Sequence, residues 1–342
     1  MYPSFDGDRA PVAVSVTDAS GVSAARRSAA ALTRAAGFGE TEAGRLAIVV
    51  TEAATNLLKH GDGGEVLLET VTADAGLGVQ MLALDRGRGM ASVAVAARDG
   101  YSTAGTAGTG LGAIGRQADL CEIQSLPGHG TVVLAQVWAR TPAPTHGRRV
   151  SVGAACAPGP GEDVSGDGWA VIQHSGRTVV LVVDGLGHGP IAADARRQAI
   201  RIFQSGPSAA PADLVSALHA GLRSTRGAAV AVADIDPERR CLRFCGLGNI
   251  GAAVLSGGGR RSLVSHNGTA GHAARKIDEF TYPWPDDAVL VAHTDGLVSH
   301  WSLDAYPGLT ARHPSLLAGV LYRDFKRGRD DVTVVVARAL PR

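Results

Sequence analysis

An excess of charge of either sign is missing from this sequence: 33 Lys and Arg stand against 32 Asp and Glu, a formal net charge of +1. Neutralising phosphates needs a net basic surface, so the balance excludes nucleic-acid binding through bulk charge. Cysteine is scarce as well. Cys121, Cys156, Cys241 and Cys245 are too few in 342 residues for a disulfide framework, and no C-x-x-C pair occurs. Cys241 and Cys245 share a face of what reads as a strand and are expected to be small core residues in a reducing cytoplasm. No apolar run approaches the roughly 18 residues that span a bilayer. The start, MYPSFDGDRAP, has neither a basic nor an apolar leader segment. A soluble, cytoplasmic protein without a membrane partner is the expectation. Lysine is nearly absent, confined to Lys59, Lys276 and Lys326. With the Ala and Gly excess, that reads as genome composition and not as a mechanism.

Apolar material is plentiful, at 45% of residues, enough for buried cores, and the length suggests two domains. The stretch Ala139–Arg149, ARTPAPTHGRR, interrupts the hydrophobic pattern on both sides and reads as a linker. The expected organisation is domain 1–140, linker 141–149 and domain 150–342, with no internal repeat.

In the first domain, Val12–Val16 alternates as a strand. Val22, Ala25, Ala29, Leu32 and Ala36 form a helical stripe that stops at Gly37. A second helix is expected from about Thr41 to Lys59, and strands at about 65–71, 77–84 and 131–138 complete a helix–sheet layer. The second domain reads as strands near 169–173, 178–183, 228–234, 241–247, 288–293 and 332–337. At least two helices interrupt them, near 191–203 and 211–222. That pattern suits a mixed sheet sandwich covered by helices.

Three segments of the first domain carry chemistry. Glu52 and Asn56 lie one helical turn apart, so they project from one face, with Lys59 and His60 at the helix end. Asp85-Arg-Gly-Arg-Gly-Met90 ends an apolar strand with one acid and two alternate glycines; alone it would be an ordinary acidic turn. Gly105-Thr-Ala-Gly-Thr-Gly-Leu-Gly112 is a glycine-rich loop running into a helix expected at 113–119, which lets backbone N–H groups approach phosphates. It is neither a Walker A loop nor a dinucleotide fingerprint.

The order Glu52-x-x-x-Asn56-x-x-x-His60, Asp85-x-Gly-x-Gly89, Gly108-x-Gly-x-Gly112 and Gly128-His-Gly-Thr-Val132 resembles the ATP-binding GHKL (Bergerat) fold, an α/β sandwich. Within it, the segment of about residues 10–138 resembles the anti-sigma-factor serine kinases of the RsbW/RsbT/SpoIIAB type. The resemblance implies ATP with Mg2+ as cofactor. It makes Glu52 the general base on a hydroxyl nucleophile and Asn56 the Mg2+ ligand. Asp85 would accept from the adenine amino group, with Gly87 and Gly89 packed close to the base. Gly108, Gly110 and Gly112 would lie along the phosphates, Thr131 would belong to the ATP-binding set, and residues 91–107 would form a lid. Phosphoryl transfer depends on metal, charge stabilisation and alignment more than on covalent help, which suits that set.

In the second domain acids recur at strand ends. The continuous apolar run Val179–Val183 ends in Asp184-Gly-Leu-Gly-His-Gly189, and Val289–Ala292 ends in His293-Thr-Asp-Gly-Leu297. Gly166-Asp167 enters the strand at Trp169, and Asp330-Asp-Val-Thr333 leads into Val334–Val336. Acids so placed can converge on one edge of a sandwich, and carboxylates with few His and no Cys suit a hard cation, Mg2+ or Mn2+.

These segments, with Gly246-Leu-Gly-Asn-Ile250 and Asn267-Gly-Thr-Ala-Gly271, resemble the metal-dependent type 2C (PPM) serine/threonine phosphatases of the SpoIIE/RsbX-like branch, an αββα sandwich. The resemblance covers about residues 150–340. It implies two Mn2+ or Mg2+ ions bridged by Asp184, with the Gly185 carbonyl as a further ligand. Asp295 and Asp330 would bind one metal and Asp167 would complete the other side, directly or through water. It also implies metal-activated attack of hydroxide on phosphoserine or phosphothreonine without a phosphoenzyme. Asp331 is the alternative to Asp330. His188 is a candidate proton-transfer residue, the alternative being to orient or cap the turn before the next helix. His293 reads as a core residue. The second acid often found soon after Gly-Asp in that branch is absent here, where Gly168-Trp-Ala follows Asp167.

Together the resemblances imply an α/β two-domain, bifunctional partner-switching regulator. A serine/threonine kinase-like module would be fused to an opposing phosphatase, both acting on a STAS-domain anti-sigma antagonist or stressosome protein. A sigma factor is a further candidate partner, and an oligomer is left open. The alternative is a phosphatase whose first domain is a non-catalytic ATP-sensing or sigma-factor-binding module.

Overall fold

The structure is a computed structural model, which describes residues 11–73, 76–96, 110–140 and 149–340. Gly108, most of the expected lid and the expected linker residues 141–148 lie outside the described residues. The described residues fall in two compact units, 11–140 and 149–340.

The first unit runs β1 (Val12–Val16), α1 (Ala19–Ala35), α2 (Glu40–His60), β2 (Gly64–Ala73), β3 (Gly76–Leu84), α3 (Val93–Ala96), α4 (Gly110–Gln117), β4 (Leu120–Leu126) and β5 (Gly130–Trp138). Its strands form one antiparallel sheet in the order β1-β2-β3-β5-β4. Asp18 caps α1 by accepting the backbone N–H of Ser20 at 2.7 Å and of Gly21 at 3.2 Å, and Gly37, in the left-handed region at φ +70°, follows its end. Ala25, Ala29 and Leu32 of α1 and Leu46, Val49, Val50, Ala53 and Leu57 of α2 share one core with Val66, Leu68, Val79, Met81 and Ala83 of the sheet. This is the α/β sandwich expected of the first domain. β4 was not anticipated. It is the edge strand, half-buried along its whole length, so it lacks the in–out alternation that marks a strand in sequence.

The second unit runs β6 (Val150–Ala157), β7 (Asp167–His174), β8 (Arg177–Gly185), α5 (Gly189–Ser205), α6 (Pro211–Gly221), β9 (Ala228–Asp236), β10 (Cys241–Leu247), β11 (Gly251–Ser256), β12 (Gly259–Ser262), β13 (Ser265–His266), β14 (Gly268–Thr269), β15 (Ala273–Ala274), β16 (Phe280–Pro283), β17 (Val289–His293), α7 (Pro314–Phe325) and β18 (Val332–Ala339). One sheet has the order β13-β10-β9-β8-β7 with β16 paired to β10; the other has the order β12-β11-β17-β18-β6. Residues of both sheets, among them Leu181, Val183, Val232, Leu290 and Val335, lie in one core cluster. Helices α5 and α6 pack on the first sheet and α7 on the second, which makes the αββα sandwich.

Helix α7, β6 and β11–β16 were not anticipated. Ten of the twelve residues of α7 are buried, so no polar face gives it a helical period. β6 is VSVGAACA, too rich in Ala and Gly to read as a strand. Cys245 is buried, Cys241 half-buried at its strand's start, and all four cysteines are free thiols. Among the described residues no helix is long and apolar enough to cross a membrane.

Candidate functional sites

In the first unit, α2 presents Glu52 and Asn56 to the start of α4. A Cβ added to Gly110 would stand 3.1 Å from Asn56 Oδ1 and 3.2 Å from Glu52 Oε2, so glycine lets the helix start come this close without displacing either side chain. α4 begins at Gly110, earlier than the sequence suggests, and Gly110 and Gly112 fall in its first turn instead of in the loop before it. The turn after β3 is fixed by Asp85, whose Oδ1 accepts the backbone N–H of Gly87 at 2.9 Å and of Thr131 at 3.1 Å. Gly87 lies against the His60 carbonyl. Gly89, at φ +66°, lies against the Leu126 carbonyl, with which a Cβ would overlap. Ser125, which sequence reasoning missed, accepts the Met90 N–H at 2.9 Å and meets the Thr131 hydroxyl at 2.9 Å. Thr131 therefore helps dock the acidic turn onto β4 and β5. Burial, then Arg88 and Lys59, lower the His60 pKa against the opposing pull of Asp85.

In the second unit four strands bring acids to one edge. Asp167 and Asp184 are register partners on β7 and β8. Asp295 follows β17, and Asp330 and Asp331 precede β18. A pocket of about 490 Å³ is lined by Asp184, Asp295, Asp330 and Asp331, together with Asn249, Glu162, His188 and Arg329. Burial and the carboxylates of Asp295, Asp330 and Asp331 push the Asp184 pKa up to about 7. Burial, then Asp184, raises Asp167 well above the carboxylate range. Burial and Asp330 raise Asp295. Asn249, another residue the sequence reading did not assign, donates to Asp295 Oδ2 at 2.8 Å.

Asp330 and Asp331 differ in what they touch. Asp331 is buried, and its two oxygens accept the backbone N–H of Gly159 at 2.6 Å and of Gly166 at 2.5 Å. Asp330 accepts the Asp331 N–H at 2.9 Å. Asp167 is buried, and its Oδ2 accepts from the Thr294 hydroxyl at 2.6 Å. Asp167 and Gly185 stand behind the pocket and do not line it. His293 is a core residue, its Nδ1 at 2.9 Å from the Thr294 carbonyl and its ring edge-on to Trp301.

For His188 the capping alternative is corrected. Its backbone takes the N-cap position of α5, but its side chain makes no cap bond. The ring Nδ1 instead meets Glu162 Oε1 at 2.6 Å. An imidazole can cap a helix, as the His313 ring does for α7 by accepting the Ser315 N–H at 3.2 Å, but the His188 ring is engaged by Glu162 instead.

Buried oxygens that raise one another's pKa are a donor set suited to a hard divalent cation. Among the described residues no three His, Cys, Asp or Glu side chains already converge on a single ligand point. The acids share a field and a pocket without being drawn together.

Comparison with known proteins agrees with both halves of this geometry. Residues 16–137 match the family described as histidine kinase-like ATPase domain. The serine/threonine-protein kinase RsbT of Bacillus subtilis (strain 168) is 30% identical over 117 residues, 34% of this chain and 88% of RsbT. The chain belongs to the histidine kinase-like ATPase family of RsbT. Beyond this ATPase domain, residues 174–340 match the stage II sporulation protein E (SpoIIE) family. The phosphoserine phosphatase RsbX of the same organism is 22% identical over 138 residues, 40% of this chain and 69% of RsbX. A solved structure described as the bacterial stressosome, a modular system adapted to control secondary messenger signaling, is similar with a TM-score of 0.50 and 27% identity. It covers 56% of this chain and 100% of that one. A kinase-like ATPase domain is thus fused to a domain that matches the SpoIIE family, in a chain similar over its two parts to RsbT and to the phosphoserine phosphatase RsbX.

Proposed function

We propose that the protein sets the phosphorylation state of a serine or threonine on a STAS-domain anti-sigma antagonist or stressosome protein, from two sides. Residues 1–140 would add the phosphate and residues 150–342 remove it, across a linker at 141–149. The observation that carries the reading is the pocket in which Asp184, Asp295 and Asp330, from two different sheets, meet around one cavity. It shares a chain with an ATPase domain whose Glu52 and Asn56 face the start of α4. Phosphate on a side chain adds nearly two negative charges, enough to abolish a docked interface, so opposing activities give a reversible switch.

In the first domain Asp85, Gly87, Gly89 and Thr131 would hold the adenine, and Gly108, Gly110 and Gly112 would follow the phosphates of ATP. Asn56 would hold Mg2+, and Glu52 would take the proton of the incoming hydroxyl. In the second domain Asp184, Asp295, Asp330, Asp167 and the Gly185 carbonyl would hold two Mn2+ or Mg2+. When bound, the ions acidify water and neutralise the phosphoryl oxygens. The chain's own part is to hold these oxygens in place. Asn249 steadies Asp295, Thr294 steadies Asp167, and His188 at the pocket wall is the candidate proton donor to the leaving oxygen.

The test uses the Asp184→Ala protein, in which no phosphatase erases the product. It is incubated with Mg-ATP and STAS-domain proteins, and each is read by intact mass. A gain of one phosphate is the expected result, and it should vanish in Asp184→Ala/Glu52→Ala while ATP binding persists. No gain, with ATP bound, overturns the kinase assignment and leaves a nucleotide-sensing module. Mn2+-dependent removal of that phosphate by the parent, lost in Asp184→Ala, is expected of the second domain.

A further inference from the structure

Glu162 and His188 lie far apart in sequence but meet at the wall of the acidic pocket, Nδ1 to Oε1 at 2.6 Å. Glu162 sits on the loop between β6 and β7. That loop is held by its own Glu162 N–H to the Gly159 carbonyl at 3.1 Å, and by the Gly159 N–H to Asp331 at 2.6 Å. On the other side, Gly189 follows His188 at φ +70°, and a Cβ there would stand 3.0 Å from Glu162 Oε2. Glycine leaves room for the carboxylate to reach the ring.

Stability does not account for the pair. The His188 side chain is 77% exposed, and a pair so exposed contributes little to stability. Nor does helix capping, since the ring makes no cap bond. What the pair does accomplish is orientation. With Nδ1 engaged by a carboxylate, Nε2 is the ring nitrogen left for a substrate.

We infer that Glu162 is a positioning residue that holds His188 as the proton donor to the leaving serine or threonine oxygen. The inference rests on the phosphatase reading above. In the step, a water oxygen bonds to phosphorus while the bond from phosphorus to the side chain oxygen breaks, its electron pair staying on that oxygen. The oxygen takes the proton from His188 Nε2. The attacking water sheds a proton to solvent and the ring regains one from solvent. The net change is one water consumed, with a free hydroxyl and inorganic phosphate formed.

A proton donor matters in proportion to how basic the leaving oxygen is, whereas metal binding or folding does not depend on it. The experiment therefore measures kcat for the full chain with Mn2+ on a phosphoserine peptide and on a series of aryl phosphates ending in p-nitrophenyl phosphate. His188→Ala is expected to lower kcat on the peptide by about 10²–10⁴-fold, and Glu162→Ala by about 10–100-fold. The loss should shrink steadily as the leaving group becomes more acidic. The double variant should be no worse than His188→Ala alone, because Glu162 acts through the ring. Glu162→Gln, which keeps an acceptor oxygen, should recover part of the loss. Equal losses on every substrate, or losses that multiply in the double variant, overturn the assignment, as does no loss at all. A parent chain inactive on every substrate with Mn2+ would instead overturn the phosphatase reading itself.

Discussion

Asp331 accepts the backbone N–H of Gly166 at 2.5 Å, and this bond joins the segment before β18 to the segment before β7, one sheet of the sandwich to the other. Its neighbour Asp330 lines the same pocket, but of the two only Asp331 has both oxygens accepting backbone N–H groups. The two adjacent acids therefore answer differently to the same change. Asp331→Asn sets an amide donor against a backbone donor and should cost about 1–3 kcal/mol of unfolding free energy. Asp330→Asn keeps the acceptor for the Asp331 N–H and should leave the metal-free stability near the parent's. It should lower Mn2+-dependent turnover by about 10²-fold or more. Urea melts and steady-state kinetics on both variants separate them; a reversed pattern would exchange their roles.

Asp234, buried on β9, is gripped by Arg177 of β8 and by Arg243 of β10, the latter at 2.5 and 3.1 Å. Asp234→Ala leaves two guanidinium groups facing each other across the vacated strand. Both retain some solvent, so the cost should be about 2–3 kcal/mol, below that of a fully buried broken pair. Adding Arg177→Met to Asp234→Ala should restore part of it in a denaturant series.

Gly89→Ala would push a Cβ into the Leu126 carbonyl at a backbone angle that alanine avoids. ATP binding by the first domain should fall at least about tenfold for each 1.4 kcal/mol of strain, measured by calorimetry. Mn2+-dependent phosphatase activity should persist, because the substitution lies in the other unit.

Metal-free, Asp184 titrates near 7 because it is buried among Asp295, Asp330 and Asp331, well above its ordinary value of 3.8. A carboxyl whose folded pKa is raised contributes stability below its unfolded pKa and loses that contribution as pH rises through the folded one. The metal-free chain should therefore melt at a lower temperature at pH 7.5 than at pH 5, and Mn2+ should reverse the loss. Cation binding at pH 6 should also release protons, seen by calorimetry in two buffers of different ionisation enthalpy, and the release should fade by pH 8. Binding at pH 6 with no proton release would remove Asp184 from the metal.

The sequence disclosed those parts of the protein in which one residue type marks one job. A continuous apolar run ending in Asp184, or glycines before α4, is readable because few backbones tolerate them. Periodicity likewise placed α1 and α2. It could not reveal α7, which is buried almost all round and so has no polar face, or β4, which is half-buried throughout. Within the site, Glu162 escaped notice, and Asn249 was seen within Gly246-Leu-Gly-Asn-Ile250 but given no role, for another reason. Each acts through one side chain contact made by distant segments, to Asp295 and to His188, and no local spacing encodes such a meeting. Spacing could not tell Asp330 from Asp331 either, because which of two neighbours meets backbone N–H groups is decided by the fold.

The acids of the second domain are carried by two layers, Asp167 and Asp184 on one sheet and Asp295 and Asp330 on the other. Short bonds such as Thr294 to Asp167 and Asp331 to Gly166 tie the layers at that edge. The spacing of the oxygens is thus a dimension of the whole sandwich, set by the thickness of the apolar filling between its sheets. Trimming Leu181 or Val335, deep in that filling, would shift the calibre of the pocket without touching an acid. If these acids hold the proposed ions, core volume would be one of the things that tune metal preference.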